Sequence, residues 1–69
     1  MDIWAIPRKD QWIVYFITER AANWASENPV FTGTKPGDHV HLTLSDFSYF
    51  TEEVAESGLV LVSDNGKEH

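Results

Sequence analysis

The sequence predicts an α/β (α+β) two-layer sandwich, a four-stranded mixed sheet with two helices on one face. Three observations predict it. Two segments alternate or run apolar as strands do, two segments carry helical spacing between recognisable caps, and turn residues separate them. The expected order is strand, strand, helix, strand, helix, strand.

Ile3 to Pro7 and Gln11 to Thr18 read as two strands joined by the polar turn Pro7, Arg8, Lys9, Asp10, in which Pro7 presets the turn backbone. In the second strand Trp12, Val14 and Phe16 fall on one face and Ile13, Tyr15 and Ile17 on the other. Apolar residues on both faces fit a central strand, or a sheet whose second face is covered by another subunit. Thr18 reads as an N-cap with Glu19 in the favoured first turn of a helix. That helix runs through Ala21, Ala22, Trp24 and Ala25 and stops near Asn28, because Pro29 disfavours helix in the residue before it.

Val30 to Thr34 reads as short and extended. Lys35, Pro36, Gly37 and Asp38 carry the type II turn signal, Pro second and Gly third. His39 to Leu44 alternates, with Val40, Leu42 and Leu44 one way and His39, His41 and Thr43 the other. Ser45 or Asp46 opens a second helix with Phe47, Phe50 and Val54 on its buried side, and Gly58 ends it in a left-handed turn. Leu59 to Ser63 is the last strand, and residues 64–69 read as a flexible tail.

Sixty-nine residues support one domain, residues 1–69. A chain of this length buries only about 60% of the surface its unfolded form exposes. Its aromatic residues, Trp4, Trp12, Trp24, Phe16, Phe31, Phe47, Phe50, Tyr15 and Tyr49, supply the core, since there is no cysteine to staple it. The absence of cysteine suits a reducing compartment. No basic segment leads into an apolar run as in a signal peptide, and the longest apolar run, Trp12 to Ile17, is too short to span a bilayer. A cytoplasmic protein with no membrane partner is expected.

The formal net charge is −6, and it belongs to the second half. Between Lys35 and Lys67 there is no Lys or Arg, while Asp38, Asp46, Glu52, Glu53, Glu56 and Asp64 lie there. Carboxylates are repelled by phosphate backbones, so direct nucleic-acid binding is not expected. Asp46, Glu52, Glu53 and Glu56 gather on the second helix. They read either as a solvated face or as a patch that docks on a basic surface, with Tyr49 as an aromatic anchor. Glu-to-Lys pairs one turn apart, the usual form of a solubilising face, are missing.

The remaining candidates for chemistry are thin. His39 and His41 project from one face of a strand, which is half a zinc site, and Asp38 or His69 would have to supply more ligands. They read as the polar side of a strand, or as a pH-sensitive contact. Thr32 to Gly37 lacks the Gly-Lys-Ser/Thr order of a phosphate loop. His41 with Glu52 or Glu53 has the parts of an acid–base pair, but no nucleophile elbow or cysteine accompanies it. No enzyme activity, metal or cofactor is expected.

Thr18 to Asn28 (Thr-Glu-Arg-Ala-Ala-Asn-Trp-Ala-Ser-Glu-Asn) and Ser57 to Val62 (Ser-Gly-Leu-Val-Leu-Val) resemble segments of small phage and prophage proteins. In those proteins a helix opening with Thr-Glu-Arg-Ala follows a strand, and a second helix ends before Gly-Leu and a valine-rich strand. The stretch from Phe31 to Asp38 is longer and richer in turns than that pattern. The resemblance implies a mobile-element origin and carries no catalytic residues. With the acidic, cysteine-free character of the chain, it suggests an anti-CRISPR-like or anti-restriction-like inhibitor in a bacterial host. Its partner would be a host protein with a basic, nucleic-acid-binding surface, contacted through Asp46, Tyr49, Glu52, Glu53 and Glu56. The alternative is a homo-oligomeric structural or regulatory module, motivated by the doubly apolar second strand.

Overall fold

The computed structural model describes residues 1–27, 31 and 33–64. Six elements follow one another: β1 (Ile3–Pro7), β2 (Gln11–Phe16), α1 (Glu19–Ser26), β3 (His39–Thr43), α2 (Leu44–Ser57) and β4 (Leu61–Ser63). The strands form one sheet in the order β3-β2-β1-β4, as the mixed four-stranded α+β reading expects. β1 and β2 pair antiparallel as a hairpin, β2 and β3 pair antiparallel, and β4 joins β1 in parallel. β2 is thus a central strand, as expected, but the helices cover only one of its two apolar faces.

One face of the sheet is covered. Ile3 and Ala5 of β1, Val14 and Phe16 of β2 and Leu42 of β3 are buried against Ala21 and Ala25 of α1 and Phe50 and Val54 of α2. Three buried alanines let α1 lie close to the sheet. The aromatics fill what remains. Trp12 stacks flat on Phe47 at 4.1 Å, and Phe50 meets Phe16, Trp24 and Phe31 edge-on at 6.1, 5.9 and 6.2 Å. Ring pairs of this kind add about 0.5–1.5 kcal/mol beyond the area they bury.

The expected caps hold α1 and end α2. Thr18 accepts the Ala21 N–H at α1, and Gly58 takes φ 83° after Ser57. The turn before β3 has Gly37 at φ 92°, and the Asp38 N–H donates to the Lys35 carbonyl at 3.0 Å.

Several boundaries differ from expectation. β2 ends at Phe16, and α1 stops at Ser26 with Glu27 as its C-cap. β3 ends at Thr43, whose hydroxyl accepts the Asp46 N–H, so Thr43 is the N-cap of α2 and Leu44 its first residue. Leu44 is therefore exposed instead of extending the inward row of Val40 and Leu42. Val30 lies outside the described residues. At Thr34 the expected extended segment is a turn, its N–H donating to the Phe31 carbonyl at 3.2 Å with Gly33 at φ 87°. β4 begins at Leu61, and Asp64 still bonds to the sheet through its N–H to the Ala5 carbonyl at 2.8 Å, so it is not part of a tail. Residues 65–69 lie outside the described residues.

Candidate contact surfaces

The two layers expose two unlike surfaces. The first is the outer face of α2. Tyr49 lies three residues after Asp46, three before Glu52 and four before Glu53, and Glu56 follows Glu52 and Glu53 by four and three. These are the spacings at which helix side chains neighbour one another, with Cβ atoms about 5–6 Å apart. The five residues expected to form a contact patch are thus brought together, and all are exposed. Tyr49 is 71% exposed, an aromatic ring held in water among carboxylates. Among the described residues none of the four acids is ion-paired.

The placement of these acids works against the helix. Asp46 sits in the first turn, where the helix dipole favours it, but Glu56 sits in the last, where no basic residue offsets it. Glu52 and Glu56 are like charges one turn apart, an arrangement that costs a helix about 0.2–0.5 kcal/mol. Three glutamates in the second half of α2 are therefore carried at a local energetic cost.

The second surface is the sheet face that carries no helix. Strand register sets Val62, Trp4, Tyr15 and His39 in one row across all four strands, and Ile6, Ile13 and His41 in the next. Rings touch along the row from Trp4 to His39, and His39 reaches the next row at His41. Trp4 and Tyr15 ring centres are 5.6 Å apart, Tyr15 and His39 5.1 Å, and His39 and His41 5.4 Å. Gln11 and Thr43 close one end, and Ile17 and Val60, 41% and 51% exposed, lie at the other. Trp4, Ile6, Ile13 and Tyr15 are each only partly covered by their neighbours. The sequence points to half of this surface, through Ile13, Tyr15 and Ile17. Trp4, Ile6 and Val62 join it through a register that no local pattern announces.

His39 and His41 are exposed on that same face. Among the described residues no group of three or more His, Asp or Glu converges as a metal site would require. His69, considered as a further ligand, lies outside the described residues. Among the described residues no helix is long and apolar enough to cross a membrane.

A third cluster is structural, and the sequence gives no sign of it. The Asp2 carboxylate is buried and accepts four hydrogen bonds. They come from Thr18 Oγ1 at 2.7 Å, Arg20 Nε at 2.9 Å, Arg20 Nη2 at 2.7 Å and the Val60 N–H at 2.9 Å. The bidentate Arg20 guanidinium, then the Val60 N–H and the Thr18 hydroxyl, hold this carboxyl well below the usual carboxylate range, against the opposing effect of burial. Charge balance alone counts Asp2 as one surface acid among others, because its partners lie 16, 18 and 58 residues away.

Comparison with protein-family models, curated proteins and solved structures gave no match to this chain.

Proposed function

We propose that this chain is a non-catalytic interaction protein that docks the outer face of α2 on a basic surface of a host protein, and that the partner is one that handles nucleic acid. The single observation that carries this reading is the set of acids on α2, none ion-paired among the described residues, around an exposed Tyr49. The helix dipole opposes Glu56, and Glu56 repels Glu52 and Glu53 one turn before it, a local cost that a solvated face does not require. A basic groove repays that cost, because its Lys and Arg residues supply the missing counter-charges and steer association. Carboxylates along one helix then occupy the positions that phosphates would take, and the protein acts as a competitive inhibitor of mobile-element origin.

The test is capture from a bacterial lysate on immobilised protein at low and high salt, repeated with Asp46→Asn, Glu52→Gln, Glu53→Gln and Glu56→Gln combined. The expected result is a partner retained at 50 mM salt and released well below 1 M. The combined variant should lose it, and Tyr49→Ala alone should weaken it. A variant with only Glu52→Gln, Glu53→Gln and Glu56→Gln should be at least as resistant to heat as the parent, because these changes relieve repulsion within the helix. Retention of the partner by the combined variant at moderate salt would falsify the reading.

A further inference from the structure

We infer that the helix-free sheet face is a self-association surface, and that its occupant is the same face of a second copy of this chain. The surface is apolar and aromatic at its centre, with Trp4, Ile6, Ile13, Tyr15 and Val62 forming one continuous patch. Contiguous exposed patches of this kind mark contact sites in soluble proteins.

Charge distribution selects the occupant. No Asp, Glu, Lys or Arg occupies an outward position on any of the four strands. The acids at Glu19, Glu27, Asp46, Glu52, Glu53 and Glu56 lie on or beside the helices, in the opposite layer, while Asp10, Asp38 and Asp64 stand at the strand ends, on the rim of the sheet. Two copies carrying −6 each repel in most orientations. Packed sheet to sheet they keep their helix acids apart. Layers stack about 10 Å apart, so the two α2 helices would lie roughly 30 Å from one another, beyond the screening length of about 8 Å at physiological salt. The open face is thus a surface through which two copies of this acidic chain meet with their helix acids far apart.

The same geometry fixes the pairing. About a two-fold axis parallel to the strands, β2 of one copy lies over β1 of the other and β3 over β4. Tyr15 then meets Trp4, the His39 imidazole rests on Val62 instead of on a second histidine, and His41 lies over the end of β4, where Asp64 follows Ser63. Size sets the strength. Four strands about 4.8 Å apart, three of them five or six residues long and β4 only three, give a face of at most roughly 19 by 17 Å. That is less than the about 800 Å² per partner of a standard stable interface, so the dimer is a weak and concentration-dependent one.

Sedimentation equilibrium of the whole chain from 10 µM to 1 mM provides the test. The apparent mass should rise from 7.9 kDa towards twice that value. Ile13→Glu and Ile13→Lys each place a like charge on both sides of the interface and should weaken dimerisation at least tenfold, with circular dichroism checking that each variant is folded. Mixing the two variants should restore the dimer as a heterodimer, a result that only an interface between copies produces. Asn23→Ala, an exposed position of α1 on the other layer, should leave the wild-type isotherm unchanged. A wild-type chain that stays monomeric to 1 mM overturns the inference. So does a dimer that both Ile13 variants leave intact, since its interface would lie elsewhere. Vesicles of phosphatidylcholine with phosphatidylserine should not capture the protein, and a monomer that binds them would assign the face to a lipid surface instead.

Discussion

Asp2 ties together the start of β1, the N-terminus of α1 and the entry to β4. Its backbone takes part as well, the N–H donating to the Val60 carbonyl at 2.9 Å and the carbonyl accepting from Ile17 at 2.8 Å. Removing the carboxylate leaves Arg20, Thr18 and the Val60 N–H without their common acceptor, so Asp2→Asn is expected to lower the urea midpoint at pH 7. The effect must depend on pH, and its sign follows from the depressed pKa. In the unfolded chain this carboxyl titrates near 3.9, so its stabilisation is complete above about pH 5. It is lost as the pH falls below 3.9 toward the lower native value, where both states become protonated. The gap between wild-type and Asp2→Asn midpoints should therefore be constant from pH 7 to 5 and narrow steadily below pH 4. A gap that does not change with pH would mean that the contribution is packing and not charge.

At the level of elements, the two helix caps make separate contributions. Thr43 does one thing, accepting the Asp46 N–H at 3.1 Å on an exposed helix end. Thr18 accepts the Ala21 N–H at 3.2 Å and also donates to Asp2 at 2.7 Å. Loss of a cap costs about 0.5–2 kcal/mol. Thr43→Ala should fall at the low end of that range and Thr18→Ala at the high end. Thr18→Ala should also be non-additive with Asp2→Asn, because the two share a hydrogen bond. Chemical denaturation of the single and double variants measures both. These caps also show what the sequence could and could not reveal. Thr18, Gly58 and the Pro36-Gly37 turn act through their immediate neighbours, and a local reading places them correctly. The same is true of alternation along β2 and β3. Thr43 was hidden by that alternation, which continues into Leu44, although an acid three residues after a threonine is itself a capping signal. The open face was only half legible for a different reason. Which side of β2 stays bare depends on where α1 and α2 settle, and which β1 and β4 residues join it depends on strand register.

At the scale of the whole molecule, the two layers divide the chemistry, with most of the described acids on or beside the helices and uncharged side chains at the outward strand positions of the sheet. A sheet-to-sheet dimer would present two acidic α2 faces in opposite directions, so the inferred pairing and the proposed docking do not compete for surface. Folding confines the net charge of −6 within a radius of gyration of 11.3 Å, against about 25 Å for an unfolded chain of this length. Repulsion is therefore stronger in the native state, and screening should favour folding. The Debye length falls from about 30 Å at 10 mM salt, comparable to the long dimension of the molecule, to about 8 Å at 150 mM. The thermal midpoint, measured at a concentration where the chain is monomeric, should rise by a few degrees over that range and then level off. The Asp2–Arg20 pair opposes this trend only weakly, since at 2.7 Å its groups are in contact and hydrogen-bonded. Replacing Glu52, Glu53 and Glu56 by Gln halves the formal net charge and should flatten the salt dependence while raising the low-salt midpoint. If the midpoint instead falls with salt in both proteins, attractive pairs outweigh repulsion. The acids of α2 would then carry no cost to the fold, and the physical ground for reading them as a docking face would be gone.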